Sequence, residues 1–472
     1  MRIVVVGASA AGIFTSLILS RAGHKIVLLD RDPLAIAPDV ESAAAAAFRA
    51  GAPQLVQPHV LLPRVRELLI QHLPHLYHAL IAAGVQEAPI STQMPSTLAD
   101  KSPHPGDERL TLLMTRRSTF DWVLLQSVAA QHNIEPRFAT RSTGILVDKG
   151  NPPQVIGLRT TTGDLTCDLV IDASGYRSPI DQWLRDVGAQ PTQRIQAECG
   201  VAYFSRYHRI RRGATPPGPR TTRLVVGLDE FTVGIWAADN DTVQIAIAPL
   251  ASDRRFLPVR DSRVFSAVLT SVPYFKNWLD VLEPISDVYA MGAVQNSLRR
   301  LVVNERPVVL GLHAIGDAIC TTNPTLGRGL GMALSSALEI DSILQHEPDL
   351  ARQAFHFDNF VSTGIQPFFE DQAAIDAARL AALRSKIFDE PAPSPPAPRH
   401  DRVSFAELRS ASAFDPILFR AFWRVFGMLA KPDDIYSDPA ITERTRSVLA
   451  EQEPPSPFPQ PSREQLAAAL AV

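Results

Sequence analysis

Cysteine is scarce in this chain. Cys167, Cys199 and Cys320 are three in 472 residues, odd in number and far apart. No CxxC pair or mixed His/Cys cluster accompanies them, which argues against a metal centre and a disulfide framework and for a reducing compartment. Long apolar runs are missing too. No uninterrupted stretch reaches the roughly 18 residues of a membrane-crossing helix, so no integral membrane segment is expected. Net charge is small, −3 at pH 7, so neither nucleic acid nor an anionic membrane surface is the expected partner. The first residues already read as a core strand rather than a signal peptide, and the expected location is cytoplasmic. What is present is a globular share of hydrophobic residues, 46%. At this length they exceed one ordinary core, so two joined domains, or one with large insertions, are expected.

The chain is organised around residues 2–30, RIVVVGASAAGIFTSLILSRAGHKIVLLD. A short β-branched run at 3–6 suits a buried parallel strand. Gly7 breaks it, Ala8, Ser9, Ala10 and Ala11 are small, and Gly12 opens a stretch with helical apolar spacing. A second apolar run, 26–29, ends on Asp30, with Arg31 beyond. This is a β-turn-α-β unit of the length a dinucleotide site needs. Such a site asks for a tight turn (Gly7), close helix–strand contact (Gly12) and a carboxylate for a ribose hydroxyl (Asp30). Ser9 replaces the middle glycine of G-x-G-x-x-G, and its hydroxyl could bond a phosphate oxygen.

Further along, 57–84 reads as a broken amphipathic helix interrupted by Pro74. Its histidines, His59, His72, His75 and His78, lack a spacing that guarantees metal geometry, and no metal is expected. A strand is expected at 110–114 and a helix at 119–130 with Ser118 as N-cap. Strand-like runs at 144–147, 155–160 and 166–171 suggest a meander that returns to the first sheet. Alternation at 197–204, 220–227, 231–237 and 243–248, then helix over about 260–282, suggests a second, antiparallel domain. A buried strand is expected at 308–312, with helices at 325–345, 350–386, 403–429 and 439–451. The proline-rich 390–398 reads as a linker.

Two more stretches carry chemistry. CDLVIDASGYRSPI (167–180) runs a strand into Asp172 and a small-residue turn. VVLGLHAIGDAICTTNPTLGRGLGMALSSALEI (308–340) runs a strand into Gly316-Asp317, then places Pro324 before Gly327, Gly329 and Gly331 at a helix start. Free N–H groups and the positive helix end there suit an anion or an electron-rich ring.

In order and spacing, GASAAG, DASGYRS and GDAICTTNPTLGRGLG resemble the flavoprotein monooxygenases of the p-hydroxybenzoate hydroxylase type, across about residues 1–345. The nearest branch is one of bacterial epoxidase-like hydroxylases, which also carry a segment like QPHVLLPR. The resemblance implies an α/β protein. Its Rossmann-like FAD-binding domain (1–195 and 296–345) would carry an inserted antiparallel-sheet substrate domain (196–295, joined by part of 85–115). A helical C-terminal region (346–472) follows, for which no motif transfers. It implies FAD as cofactor and NAD(P)H and O2 as co-substrates. One oxygen atom would go to a small apolar or aromatic substrate by hydroxylation or epoxidation. With no second glycine-rich fingerprint, NAD(P)H would visit transiently, or a separate flavin reductase would serve.

By the same resemblance, Gly7, Ser9, Ala10, Ala11, Gly12, Asp30 and Arg31 would hold the adenosine and pyrophosphate. Arg117, rather than Arg116, would reach the pyrophosphate or ribityl region. Gly316 and Asp317 would meet the ribityl chain. Pro324, Gly327, Gly329, Leu330 and Gly331 would border the isoalloxazine ring. His59, with Gln57, would face the flavin as a contact rather than a catalyst. Asp172 is assigned to the cofactor too, unless its role is structural hydrogen bonding. Cys320 reads as a small buried residue beside the ring. Tyr203, Phe204, Phe231 and Trp236 are candidate substrate-lining residues. Halogenases of related fold use an early lysine and a W-x-W-x-I-P segment; no lysine occurs between Lys25 and Lys101, and the comparable region has only Trp236. A flavin-dependent reductase of the geranylgeranyl reductase kind, or a non-catalytic flavin-binding module, would also account for the motifs.

Overall fold

The first strand, Arg2–Val6, is buried at four of its five positions and sits at the centre of a five-stranded parallel sheet. Leu169–Asp172 and Lys25–Leu29 flank it, and Leu312–Ala314 and Ile134–Arg137 form the edges. Near-continuous apolar strands of this kind are what a sheet covered on both faces requires. Helices Ala10–Arg21 and Gly329–His346 pack together on it. The strands point the same way, so Gly7, Asp30, Asp172 and Gly316 all fall at one edge, at the carboxyl ends where such sheets bind ligands. This computed structural model describes residues 1–49, 52–292, 294–391, 399–452 and 457–472.

A second sheet runs Arg223–Gly227, Phe231–Ala237, Thr242–Pro249, Tyr203–Ile210 and Leu282–Pro284, antiparallel throughout, with Tyr289–Met291 also paired to Tyr203–Ile210. Its pleat sorts the side chains. Phe204, Phe231, Val233, Ile235, Val243, Ile245 and Ile247 enter a second core with Phe256, Phe265, Phe275 and Trp278. Their neighbours in sequence face the opposite way, toward the parallel-sheet unit. A three-stranded sheet, Gln193–Glu198, Gln295–Arg300 and Cys320–Thr321, ties the two parts together.

Several expected elements move. The strand expected at 197–204 is two strands, because Gly200 turns the chain at φ +68 with no room for a Cβ beside Leu380. The helix expected at 119–130 is Arg117–Ala129, capped at Arg116, so Ser118 lies inside its first turn and caps nothing. Ser142–Asp148, Gln154–Thr160 and Leu165–Thr166 form their own sheet, and only Leu169–Asp172 returns to the parallel one. Val308 and Val309 are buried, but the strand itself is Leu312–Ala314, beginning after Gly311. Of the proline-rich stretch, 392–398 lies outside the described residues.

The C-terminal region is helical: Leu350–Phe360, Gln366–Phe388, Phe405–Ala411, Pro416–Phe426, Pro432–Tyr436, Pro439–Glu451 and Arg463–Leu470. It is not an appendage. Phe419, Trp423 and Phe426 join the first core, and Leu466 and Ala469 join the second. Among the described residues no helix is long and apolar enough to cross a membrane.

Candidate functional site

A continuous cleft of about 750 Å³ runs along the carboxyl edge of the parallel sheet and on under the antiparallel one. Its first end is built by the opening turn. Gly7 adopts φ +106, and a Cβ there would lie 2.5 Å from the Ala173 carbonyl oxygen. A Cβ on Gly12 would overlap the Gly7 carbonyl oxygen. Both positions are thus closed to side chains, the first by conformation as well as space. Ser9 begins helix Ala10–Arg21 without capping it, so the first N–H groups of that helix have no side-chain acceptor. Ser9, Ala10 and Ala11 line the cleft.

Asp30 accepts from the backbone N–H of Ala8 (2.8 Å) and of Asp32 (2.9 Å), which ties the second strand to the turn. Arg49 donates to both Asp30 oxygens at 3.0 Å and pairs with Asp32 at 2.7 Å. Sequence reasoning missed Arg49. It lies in a stretch without periodicity, and only its charge opposite two acids could have marked it. Arg31 lines the same end, its side chain largely exposed.

Arg117 is buried and held from three sides. Its Nε donates to Asp121 (2.7 Å), Nη2 to Ser9 Oγ (3.2 Å), and Nη1 lies 3.4 Å from His59 Nε2. His59 Nδ1 is 2.9 Å from the Gln57 carbonyl oxygen. A carbonyl only accepts and a guanidinium only donates, so His59 is the neutral Nδ1–H tautomer with Nε2 accepting from Arg117. Burial and the Arg117 charge hold its imidazole down at about 3. His59 is thus a neutral imidazole fixed at both ring nitrogens. Arg116 faces elsewhere, pairing with Asp239 and Glu41 at 2.7 Å.

The far wall comes from the late glycine segment. Gly316 (φ +56) abuts Ala11, leaving 2.7 Å for a Cβ. Asp317 is exposed at the cleft, and the protein packed around that opening pushes its carboxyl up to about 6 against the pull of Arg117. Pro324–Leu326 is a 3-10 turn ended by Gly327 at φ +70. Gly329 starts helix Gly329–His346 with open space around its Cα, and Pro324, Gly327, Gly329 and Leu330 line the cleft.

Three expected cofactor residues stand outside it. Gly12 does its work by packing. Gly331 faces the Met428 sulfur, which would lie 2.7 Å from a Cβ at that position, and not the cleft. Asp172 is fully buried, and its oxygens are taken by the Ser174 N–H (3.0 Å) and the Ser174 and Ser178 hydroxyls. It holds the turn that lines the cleft rather than contacting a ligand.

The second end lies under the antiparallel sheet, where Tyr203, Arg223, Val225, Thr232, Gly234, Trp236, Ala246 and Ala248 share one face with Met291 and Phe426. Of the four aromatic candidates, Tyr203 and Trp236 are here, while Phe204 and Phe231 belong to the core behind. Gly234 makes space, since any Cβ there would strike the Trp236 indole. Tyr203 donates its hydroxyl to Asn323, whose amide donates to Asp376 (2.8 Å). Asp376 also receives Asn296 (2.7 Å), Gln372 (3.1 Å) and Arg379 (2.6 Å). A buried carboxylate of the C-terminal region therefore anchors the loop before Pro324, and neither it nor Phe426 carried a sequence signal.

No family model matches the chain, and no curated protein matches it. Solved structures do. The flavin-dependent brominase Bmp2 superposes with TM-score 0.63 at 14% identity over 96% of this chain and 100% of that one. PqsL from Pseudomonas aeruginosa, described as a probable FAD-dependent monooxygenase, gives 0.58 at 13% over 83% and 100%. The tetracycline destructase Tet(51) gives 0.52 at 17% over 91% and 98%. The chain has the fold of these flavoproteins. At such identities the likeness is one of fold, and the chemistry has to be argued from the cleft.

Proposed function

We propose that the protein is a cytoplasmic FAD-dependent monooxygenase that uses NAD(P)H and O2 to hydroxylate or epoxidise a small apolar or aromatic molecule. The observation that carries this reading is the continuity of the cleft. One end has the bare turn, helix N-terminus and Asp30 of a dinucleotide site, and the other has an apolar face with Trp236 and Tyr203. The lining suits FAD: Gly7, Ser9, Ala10 and Ala11 present backbone and small side chains to the cleft, and Asp30 and Asp317 offer carboxylates to which ribose and ribityl hydroxyls would donate. Parts 1–195 and 296–345 would hold the cofactor, and 196–295 the substrate.

FAD, when bound, supplies the redox and oxygen chemistry. The chain supplies position and environment. Arg117, fixed by Asp121 and Ser9, offers positive charge to a pyrophosphate. The start of helix Gly329–His346 favours negative charge on a ring against Pro324 and Leu330. Val60, Leu326 and Leu330 keep that wall apolar, which limits water around the reacting atoms.

Halogenation is the second reading, since halogenases share the fold. No lysine lines the cleft among the described residues, which favours oxygen transfer over a lysine-assisted halogenation. The test is the visible spectrum of purified protein, then NAD(P)H-dependent oxygen uptake with candidate aromatic substrates, alone and with a flavin reductase. A product heavier by one oxygen atom supports the proposal. Halide incorporation, or electron transfer to substrate without oxygen, replaces it with the halogenase or the reductase.

A further inference from the structure

The antiparallel sheet reaches across to the cofactor end at two points, both on one hairpin. Its strands are Phe231–Ala237 and Thr242–Pro249, and Asn240 and Asp241 turn it at φ +53 and +57. The tip is seated on the parallel-sheet unit, where Asn240 donates to the Ala83 carbonyl oxygen at 3.1 Å. Asp239, in the turn, is fully buried. One of its oxygens accepts from the Arg116 backbone N–H (2.5 Å). The other accepts from the Thr119 hydroxyl (2.8 Å) and from Arg116 Nε (2.9 Å) and Nη2 (2.7 Å). Arg116 precedes helix Arg117–Ala129, and its own side chain, a donor only, caps nothing. The acceptor at that helix start is therefore supplied from the other sheet, with the negative charge that a helix N-terminus favours.

Gln244 makes the second contact. It shares a strand face with Ala246 and Ala248, opposite Val243 and Ile245 of the second core, and lies directly across from Trp236. Its amide clasps the His59 backbone, accepting from the N–H and donating to the carbonyl oxygen at 3.2 Å each, and it donates to the Thr115 carbonyl oxygen at 3.3 Å. Gln244 is fully buried, so removing its amide strands polar groups away from water. His59 and Arg117, whose side chains meet at 3.4 Å, are thus each seated, at or next to their own backbone, by one residue of the same hairpin.

We propose that Asp239 and Gln244 are positioning residues for the cofactor, Asp239 setting the approach of Arg117 and Gln244 that of His59. This rests on the reading of the cleft as an FAD site. Neither Asp239 nor Gln244 lines the cleft, so each acts through the residue it seats. The same hairpin walls the substrate end with Thr232, Gly234, Trp236, Ala246 and Ala248. Its seat on the parallel-sheet unit therefore sets both the shape of that end and the grip on FAD.

The test is a pair of double-mutant cycles on the full chain, read as FAD affinity by flavin titration. Asp239→Asn is measured in the parent and in Arg117→Met, and Gln244→Met in the parent and in His59→Ala. In the parent the first substitution weakens FAD at least about tenfold and the second at least about threefold, the size of a charge-assisted and of a neutral hydrogen bond. In the background that lacks the seated side chain, each loss shrinks below about twofold. A merely structural role would give the same loss in both backgrounds, and that result, or no loss in the parent, overturns the proposal. Melting temperatures of the apo-proteins check folding, and where Asp239→Asn does not fold the Gln244 cycle decides. A parent that takes up no FAD removes the cofactor reading and this inference with it, whereas additive losses in a parent that binds FAD remove this inference alone.

Discussion

Replacing Gly7 by alanine tests whether the opening turn is what makes the cleft. Two costs can be read from the geometry. An alanine at φ +106 is strained by about 1–3 kcal/mol. Its Cβ would also lie 2.5 Å from the Ala173 carbonyl oxygen and 3.1 Å from the Ser174 Cα, all backbone atoms that cannot rotate away. Backing off to ordinary contact, 3.4 Å, needs 3.4 − 2.5 = 0.9 Å of movement between two central strands of the sheet. Overpacking of that size costs about another 1–3 kcal/mol. The lower entropy of the unfolded alanine chain returns about 0.4–1 kcal/mol. The net loss is about 3 kcal/mol, or about 6–12 °C in melting temperature for a cooperative unit of roughly 200 residues. Gly329→Ala is the control, because its Cβ meets nothing within 4 Å. It should leave stability unchanged or slightly raised yet weaken FAD binding, by placing a methyl where the ring would approach. Thermal unfolding of the apo-proteins and flavin titration read both quantities. A Gly7→Ala protein that melts within a degree or two of the parent and binds FAD equally would refute the reasoning.

Asp30→Ala strips the acceptor from the Ala8 and Asp32 N–H groups and from Arg49. It should cost about 2 kcal/mol in denaturant unfolding and at least about tenfold in FAD affinity. Asp317 has a folded value of about 6, above the ordinary 3.8. Between those values the folded chain holds a proton that the unfolded chain releases, so this group's contribution to stability declines as pH rises toward and through 6. Unfolding free energies measured from pH 4 to 7 should therefore fall for the parent relative to Asp317→Asn, and parallel curves would contradict the assignment. Asp376→Ala orphans Asn296, Asn323, Gln372 and Arg379 in a buried site. It should lower stability by about 3 kcal/mol, while the exposed Asp401→Ala, paired among the described residues with Arg399, should leave stability essentially unchanged.

How much of this was readable from sequence depended on how local the cause was. The turn from Gly7 to Asp30 is tied by bonds of its own, Gly7 N–H to the Leu29 carbonyl and Ala8 N–H to Asp30, so its two strands and the turn between them could be placed from spacing alone. The strand Phe231–Ala237 and the helix Pro439–Glu451 fell where alternation and periodicity put them. Expectation failed where a distant residue decides. Gly200 turns the chain at φ +68, and Leu380 of the C-terminal region fills the space a side chain there would need. Asp172 looks like a ligand-facing acid until Ser174 and Ser178 are seen to occupy its oxygens. Gly331 reads as part of a bare helix start, but its missing side chain accommodates Met428 of the C-terminal region.

The two ends of the cleft differ in the same respect, and this bears on function. The cofactor end is assembled mainly from short segments that follow parallel strands, a solution any doubly wound sheet can reuse, and structures at 13–17% identity share the fold that provides it. The substrate end is assembled across the chain. Arg223 comes from the antiparallel sheet, Phe426 from a helix about 200 residues later, and Tyr203 is held through Asn323 by Asp376. Fold likeness therefore informs on where the cleft lies and is nearly silent on what enters it. Changes at Arg223, Trp236 and Phe426 should alter which molecule is taken while leaving FAD uptake intact, and changes at Gly7, Asp30 and Arg117 should do the reverse.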